Sequence, residues 1–237
     1  MPNPYFEFKQ FTVYQDQCTM KVSTDSCILG AWFAEKIPSP SSVLDIGSGT
    51  GLLMLMLAQK NKVSLDGIEI DLPSFKQLQT NISNSKWKDS ISVFPGDVRN
   101  FSFPHKYDFI ISNPPFYEGD LRSPAEDKNV ARHSKELTLQ DLLGVIDRNL
   151  GLRGRFGVLL PYRRKDEFLD LAGSRNFHLQ EELSIRQTSA HTFFRVILEF
   201  SRDKSSFTTR SELAIQSENG AYTEEFIELM KDYYLYL

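Results

Sequence analysis

The chain has 237 residues, of which 41% are hydrophobic and 24% are charged, and its formal net charge is −4. This composition is typical of a folded soluble protein and excludes both a disordered chain and a small disulfide scaffold. The longest apolar run, Gly51 to Ala58, is too short to cross a bilayer, and the N-terminus lacks the basic and apolar regions of a signal peptide. Two cysteines and four scattered histidines predict a cytoplasmic protein without a metal site.

The charge is unevenly distributed along the chain. Residues 211–237 carry six acidic side chains and one lysine, so the rest of the chain is close to neutral. Basic residues cluster between Arg148 and Lys165. Because phosphate binding needs a local basic face rather than a basic protein, charge leaves open both a nucleic-acid partner and an ordinary solvated surface.

In chain order, the first predicted elements are an aromatic-rich strand at 6–14 and a capped helix at 24–33. We expect residues 1–37 to pack on a main domain of residues 38–237, the whole forming one globular unit. From residue 43 onward, apolar segments alternate with helical ones: strands at 43–46, 64–70, 91–94, 107–112 and 155–160, and helices at 52–60 and 72–84. Strands that are apolar throughout predict a parallel sheet covered by helices on both faces.

The C-terminal part changes character. Residues 177–185 and 192–200 are two strand candidates joined by a short polar segment, which predicts an antiparallel hairpin at the sheet edge. With this hairpin, the chain is predicted to form a Rossmann-like α/β fold with a seven-stranded, mostly parallel sheet. Near the C-terminus, Phe226, Leu229, Met230 and Tyr233 recur at helical spacing and predict a helix whose apolar face packs on the core.

A glycine-rich turn, VLDIGSGTG at residues 43–51, joins the first of these strands to a helix. Its glycines, Gly47, Gly49 and Gly51, permit positive φ angles and close approach of a ligand to the backbone. A nicotinamide site requires G-x-G-x-x-G, with its third glycine at the position occupied by Leu52. The spacing therefore favours the G-x-G-x-G turn of S-adenosylmethionine enzymes, with a purely structural turn as the alternative. Asp45, in the strand before the turn, is a further candidate cofactor ligand.

Acidic residues follow the next two strands. Glu69 ends the strand in GIEID, where a carboxylate can accept hydrogen bonds from both ribose hydroxyls of a nucleoside; Asp71 is the weaker candidate. Asp97 ends the third strand and can accept from the exocyclic amine of an adenine. An aspartate in such a position also serves as a turn or helix-cap residue, so this alternative stays open.

The most specific motif is Asn113-Pro114-Pro115-Phe116, directly after the strand YDFIIS. Two consecutive prolines keep the backbone extended and leave two positions without N–H donors, so nearby carbonyls are free to accept from a ligand. Asn113 adds a side-chain acceptor and Phe116 a flat apolar face. This combination suits a planar aromatic amine, whereas a simple proline-rich turn is the alternative.

Together these motifs resemble class I S-adenosylmethionine-dependent methyltransferases that act on amines, whose catalytic motif is [DNS]-P-P-[YFW]. Residues 8–33, 44–59, 67–71 and 107–119, and the closing YTEEFIELMKDYYL, are similar to the bacterial tRNA1(Val) adenine-37 N6-methyltransferases. The resemblance covers nearly the whole chain. One departure is Ser23, where the family is expected to carry glycine.

The resemblance implies S-adenosylmethionine as cofactor and the anticodon loop of tRNA as substrate, bound by a monomer without a membrane or metal partner. It implies catalytic roles for Asn113, Pro114 and Phe116. The implied cofactor ligands are Lys21, Thr24, Asp25, Asp45, Gly47, Gly49, Gly51, Glu69, Asp97 and Asn113. The candidate RNA contacts are Pro115, Tyr117, Arg132, His133, Arg163, Arg164 and Lys165.

Three other functions remain open at this stage. The same chemistry can act on rRNA or DNA adenine, on guanine N2 or on a protein glutamine, since all of these use similar loops. A nicotinamide oxidoreductase is opposed by Leu52 and by the Asn-Pro-Pro-Phe loop. A non-catalytic binding module is opposed by the joint presence of the glycine turn, Glu69 and that loop.

Overall fold

The structure is a computed structural model that describes residues 3–18, 20–115, 137–204 and 207–237. Within these residues the helices are α1 (Thr24–Ala34), α2 (Leu52–Lys60), α3 (Leu72–Ser83), α4 (Leu139–Asn149), α5 (Lys165–Gly173) and α6 (Glu224–Met230). The strands are β1 (Tyr5–Glu7), β2 (Thr12–Tyr14), β3 (Ser41–Ile46), β4 (Val63–Glu69), β5 (Ile91–Pro95), β6 (Tyr107–Ser112), β7 (Leu150–Pro161), β8 (His178–Arg186), β9 (Arg195–Ser201) and β10 (Thr209–Ala214). None of these helices is both long and apolar enough to pass through a membrane.

The central sheet has the strand order β10-β8-β9-β7-β6-β3-β4-β5. Strand β9 runs antiparallel to β7 and β8, and the other neighbouring pairs are parallel. The predicted α/β fold with a mostly parallel sheet and an antiparallel hairpin is thereby confirmed. The sheet has eight strands rather than the seven predicted, because β10 joins its edge. Residues 209–212 of this strand are exposed and polar, so no apolar run marks it in the sequence.

Helices cover both faces of the sheet. Alternate residues of one strand point to opposite faces, so Val43 joins one apolar core and Leu44 the other. The first core is built with residues of α1, α2, α3 and α6, and the second with residues of α4 and α5. Every residue of helix α2 from Leu52 to Ala58 is buried. The helix is therefore an internal layer of the molecule.

The N-terminal residues form a hairpin and not the single strand predicted for 6–14. Strands β1 and β2 pair antiparallel, and the Phe8 N–H donates to the Phe11 carbonyl at 2.8 Å within the turn between them. The two rings stack at 4.6 Å, and both are buried in the first core. The sequence of this turn lacks glycine, proline and aspartate, so no turn residue marks it. The packing of aromatic rings that stabilises the turn is a tertiary contact, which a local pattern does not show. The division of the chain at residue 37 stays a prediction.

Helix α1 packs on α2, and α6 packs on α1 and on β10. Helix α1 starts with a capping box between Ser23 and Ser26, as its sequence predicts. Near the C-terminus Phe226, Met230 and Tyr233 are buried, which confirms the predicted packing face. The Tyr233 hydroxyl donates to the Met56 carbonyl of α2 at 3.1 Å, so the end of the chain is attached to the core by polar as well as apolar contacts.

Replacing Gly51 with alanine is expected to lower the free energy of unfolding by about 2 kcal/mol. Gly51 caps α2 at φ +83°, and an added Cβ would lie 2.7 Å from Leu78 Cδ1. The matched control is Gly173→Ala at the end of α5, where a Cβ meets no atom within 4 Å. That change should be neutral or stabilise by up to about 1 kcal/mol. Urea unfolding compares the two; equal effects would contradict the steric role of Gly51.

Candidate active site

A cavity of about 720 Å³ opens at the edge of the sheet where β3, β4, β5 and β6 end. Because parallel strands all point their carboxyl ends the same way, the segments that follow them meet there. The predicted residues that line this cavity are Lys21, Gly47, Gly49, Glu69, Asp97, Asn113 and Pro115, together with Asp71, the weaker candidate. Those that are described but do not line it are Thr24, Asp25, Asp45, Gly51, Pro114, Arg163, Arg164 and Lys165.

The glycine turn forms the floor of the cavity. Gly47, Gly49 and Gly51 all have positive φ angles. A Cβ on Gly47 would meet no atom within 4 Å, so at this position it is the backbone conformation that requires glycine. Gly51 instead packs against Leu78 and Ile82 of α3. The turn therefore exposes backbone to the cavity at its first two glycines and joins two helices closely at its third.

Glu69 is held by the backbone on both sides of its carboxylate. Oε2 accepts from the Gly49 N–H and Oε1 from the Asp71 N–H, each at 2.8 Å. Burial raises the pKa of Glu69, while these two hydrogen bonds oppose that rise. An ionised carboxylate has about four acceptor positions, so each oxygen keeps capacity for a further donor. The side chain is thus fixed in place and still able to accept two hydroxyl groups.

Asp97 is bound by an arginine that the sequence analysis did not single out. The Arg99 guanidinium donates Nε to Oδ1 at 3.0 Å and Nη2 to Oδ2 at 2.6 Å, and its backbone N–H donates to Oδ1 at 2.9 Å. This pair lowers the pKa of Asp97 and keeps the carboxylate ionised. Arg99 also lines the cavity, so the segment after β5 offers a carboxylate and a cation together. Its position only two residues after Asp97, in a turn, is the signal that could have identified it.

Asp45 lies beneath the cavity without reaching it. The side chain is fully buried, and among the described residues neither carboxylate oxygen has a hydrogen-bond partner. Burial and the negative charge of Glu69 raise the pKa of Asp45 to about 8. A buried carboxyl group in this state is largely protonated at neutral pH, which avoids leaving an unpaired charge in the core.

The Asn-Pro-Pro segment forms the wall of the cavity opposite Glu69's strand. Asn113 and Pro115 line it, whereas Pro114 between them is buried in the protein. Directly before them, the Ser112 hydroxyl donates to the Ile46 carbonyl at 2.9 Å, which ties the end of β6 to the end of β3. Asn113 is therefore positioned by the sheet itself, next to the glycine turn. Phe116, Tyr117, Arg132 and His133 lie outside the described residues.

The N-terminal segment approaches the cavity through Met20, Lys21 and Val22. Asp25, one turn further, is directed elsewhere: its Oδ2 accepts from Arg195 Nε at 2.8 Å, and its Oδ1 accepts from the Ser26 N–H at 3.0 Å. Thr24 likewise does not line the cavity. Asp25 thus links the segment beside the cavity to the first residue of β9.

Two of the predicted RNA-binding cations are engaged within the protein. Arg164 makes a bidentate pair with Glu167 at 2.9 and 2.8 Å. Lys165 donates to the buried Glu182 at 2.9 Å. Arg163 is exposed on the turn before α5. In the described parts of the chain, no three His, Cys, Asp or Glu side chains are grouped as metal ligands.

The buried Asp45 predicts a pH dependence of stability. Its pKa is about 8 in the folded protein but near 4 in the unfolded chain, so between these values only the folded state retains the proton. Stability should therefore fall as the pH rises from 4 to 8, by up to about 1.4 kcal/mol per pH unit. Urea unfolding of the ligand-free protein and of Asp45→Asn tests this: the difference between them should vary with pH. A constant difference across this range would contradict the assignment.

Residues 19–153 match the profile of the family "Methyltransferase small domain". Among solved structures of the same fold, a predicted O-methyltransferase from Agrobacterium tumefaciens has a TM-score of 0.69 at 15% identity, over 87% of this chain and 95% of that one. The glycopeptide N-methyltransferase MtfA complexed with S-adenosylmethionine has a TM-score of 0.58 at 10% identity, over 78% of this chain and 96% of that one. At these identities the likeness shows the fold alone.

Sequence relatives match the chain over almost its whole length. A protein of Dyadobacter fermentans is 40% identical over 98% of both chains. One of Phocaeicola vulgatus is 39% identical over 99% of both, and one of Photorhabdus laumondii is 37% identical over 98% of this chain and 95% of its own. Each bears the name tRNA1(Val) (adenine(37)-N6)-methyltransferase. The chain therefore belongs to the tRNA1(Val) (adenine(37)-N6)-methyltransferase family, as its motifs predicted.

Proposed function

We propose that this protein transfers the methyl group of S-adenosylmethionine to the N6 amine of adenine 37 in the anticodon loop of tRNA1(Val). Support comes from the family to which it belongs and from one structural observation. Asn113 lines the same cavity as Gly47, Gly49 and Glu69, so a cofactor on the glycine turn and an amine at Asn113 would face each other. The alternative acceptors are rRNA or DNA adenine, guanine N2 and protein glutamine. They are not favoured, because the relatives that match the full length of the chain are named as tRNA methyltransferases.

The chemistry of the cavity fits S-adenosylmethionine. Its volume of about 720 Å³ is in the range of cofactor pockets. Glu69 offers acceptors to the two ribose hydroxyls, and Asp97 offers an acceptor to the adenine amine. The cofactor is a cation that supplies an activated methyl group, and the Glu69 carboxylate in the cavity favours positive charge. Lys21 contributes to the cavity from the N-terminal segment. Asp25 does not contact the cofactor in this proposal; it holds that segment in place through its ion pair with Arg195.

Asn113, which lines the cavity, has the central task of orienting the substrate amine. The carbonyl of Pro114, a buried residue between two that line the cavity, is the proposed second acceptor. The adenine amine is a weak nucleophile because its lone pair is delocalised into the ring. Accepting its two N–H bonds from out of the ring plane favours the pyramidal nitrogen whose lone pair points at the methyl group. These hydrogen bonds strengthen as positive charge develops on nitrogen, so they stabilise the transition state more than the bound substrate. The family motif assigns to Phe116, which lies outside the described residues, the task of stacking on the base.

Positioning of this kind is sufficient to explain a large rate enhancement. Holding two reactants in the correct geometry lowers a barrier by roughly 7–11 kcal/mol relative to their encounter in solution. The target base must leave its stack to reach the cavity, which costs a few kcal/mol in a duplex and less in a single-stranded loop. An anticodon-loop adenine is thus a favourable substrate for a pocket of this kind.

Other features of the reaction are proposals of the same kind. The cytoplasm is the proposed place of action, in keeping with two free cysteines, Cys18 and Cys27. The monomeric state and the absence of a metal ion remain predictions. RNA contacts also remain predictions for Pro115, Tyr117, Arg132, His133, Arg163, Arg164 and Lys165. The ion pairs of Arg164 and Lys165 must rearrange before these two side chains can contact phosphate.

Glu69→Gln is expected to weaken binding of S-adenosylhomocysteine by about ten- to a hundredfold. The glutamine amide has one acceptor oxygen and an N–H₂ group that cannot accept, so one of the two ribose hydroxyls loses its acceptor when the ligand binds. Calorimetric titration measures the effect. Glu218→Gln, on the exposed segment after β10, is the matched control and should bind as the wild type does. Wild-type affinity in Glu69→Gln would contradict the ribose assignment.

Methylation of tRNA1(Val) transcripts tests the function itself. Labelled S-adenosylmethionine should transfer label to a transcript with adenine 37 and not to one with guanine there, as located by mass mapping. Asn113→Ala should lower kcat by about a hundred- to a thousandfold, since it removes an acceptor used in the transition state. Asn113→Asp keeps an acceptor oxygen and should retain more activity.

This experiment tests the identity of the acceptor and the role of Asn113 separately. Label on the guanine-37 transcript, or only on rRNA, DNA or protein, would contradict the proposed acceptor. Full activity in Asn113→Ala with unchanged cofactor binding would leave the acceptor correct and contradict the role of Asn113.

A further inference from the structure

Three aromatic side chains, Tyr162, Phe193 and Phe194, form what we call the aromatic rim. They belong to the turn after β7 and to the loop between β8 and β9. Tyr162 and Phe193 lie with ring centroids 5.1 Å apart, and both are partly exposed. Phe194 is 37% exposed. Tyr162 packs on the edge of the second core, whereas Phe194 leaves more than a third of its surface in solvent, an exposure that the packing of the fold does not explain.

The aromatic rim stands beside the candidate active site. Strands β6 and β7 are neighbours, and Ser112, the last residue of β6, pairs with Val158 of β7. Strand β7 runs on to Pro161, which places its end about 10 Å beyond the level of Ser112. Asn113 directly follows Ser112 and therefore lies near the same level of the sheet. The rim therefore forms a raised border next to the Asn-Pro-Pro segment.

Backbone hydrogen bonds fix the two loops to each other. The Tyr162 N–H donates to the Phe194 carbonyl at 3.1 Å, and the Phe194 N–H donates to the Ile185 carbonyl at 3.0 Å. In addition, the Asp25–Arg195 ion pair attaches the base of the rim to the segment beside the cavity. The rings are thus held by a pre-formed scaffold, which reduces the entropy lost when a ligand binds them.

Each ring of the rim has a cation next to it. Arg186 Cζ lies 5.2 Å from the Phe193 centroid, Arg195 Cζ lies 5.6 Å from that of Phe194, and Lys165 Nζ lies 5.0 Å from that of Tyr162. These three cations are also ion-paired within the protein: Lys165 with Glu182, Arg186 with Glu212 and Arg195 with Asp25. Flat rings flanked by cations suit a ligand with aromatic faces.

We propose that the aromatic rim stacks the unpaired nucleotides that flank the target adenine in the RNA substrate. The inference rests on the proposed function and adds a binding site to it. When the target base is extruded into the cavity, its neighbours in the loop lose a stacking partner. The rim restores that stacking. Stacking is tolerant of base identity, so this site contributes affinity and orientation and reads little sequence.

The experiment measures binding of an RNA stem-loop with the sequence of the tRNA anticodon arm, by fluorescence anisotropy at fixed salt. Phe193→Ala and Phe194→Ala should each weaken RNA binding about tenfold, the value expected for one base–aromatic stack. Binding of S-adenosylhomocysteine should be unchanged. Phe194→Tyr retains a flat ring and should restore RNA affinity. The matched control is Leu152→Ala, an 87% exposed side chain near the other end of β7, which should bind as the wild type does.

A second arm removes the base instead of the ring. An RNA with abasic sites on both sides of the target adenine loses two stacked bases and should bind about a hundredfold more weakly to the wild type. It should lose little further affinity with Phe194→Ala, because ring and base belong to one interaction. Wild-type RNA affinity in both alanine variants would overturn the proposal, as would equal losses for the intact and abasic RNAs in Phe194→Ala. Failure of the proposed function is seen separately, as absence of methyl transfer by the wild type.

Discussion

The parallel arrangement of β3, β4, β5 and β6 is the constraint from which the site follows. Each strand ends at the same edge of the sheet, so the residues that come next along the chain meet there although they are far apart in sequence. The glycine turn follows β3, Glu69 ends β4, and Asn113 follows β6. The hydrogen bond from Ser112 to the Ile46 carbonyl fixes two of these ends relative to each other. Catalysis by positioning depends on this rigidity.

Negative charge in a buried place is the second property that this arrangement creates. Asp45 and Glu69 are both withdrawn from water, and the pKa of each is raised as a result. In the ligand-free protein, burial of these two carboxyl groups lowers the stability of the fold. Protonation of Asp45 and the backbone hydrogen bonds to Glu69 reduce that loss. A cationic cofactor reduces the same loss, because positive charge in the cavity favours both carboxylates. Binding of the cofactor and stability of the fold are therefore linked.

The features that the sequence predicts correctly are those encoded locally. The glycine turn, the buried strands and the Asn-Pro-Pro segment each carry their information within a few residues, and so does the capped helix α1. Features that depend on distant partners were missed. The polar strand β10 is stabilised by its pairing with β8, the N-terminal hairpin by packing against Tyr234, and the orientation of Asp25 by Arg195 on β9. No local pattern of apolar residues records any of these contacts.

The most direct test of the account is a crystal structure with S-adenosylhomocysteine bound. We expect its ribose hydroxyls to contact the Glu69 carboxylate, its adenine amine to lie at Asp97, and its sulfur atom to face Asn113 across the cavity. Density for the ligand elsewhere, or in this cavity with the sulfur atom directed away from Asn113, would contradict the claim that the strand ends assemble one methyl-transfer site.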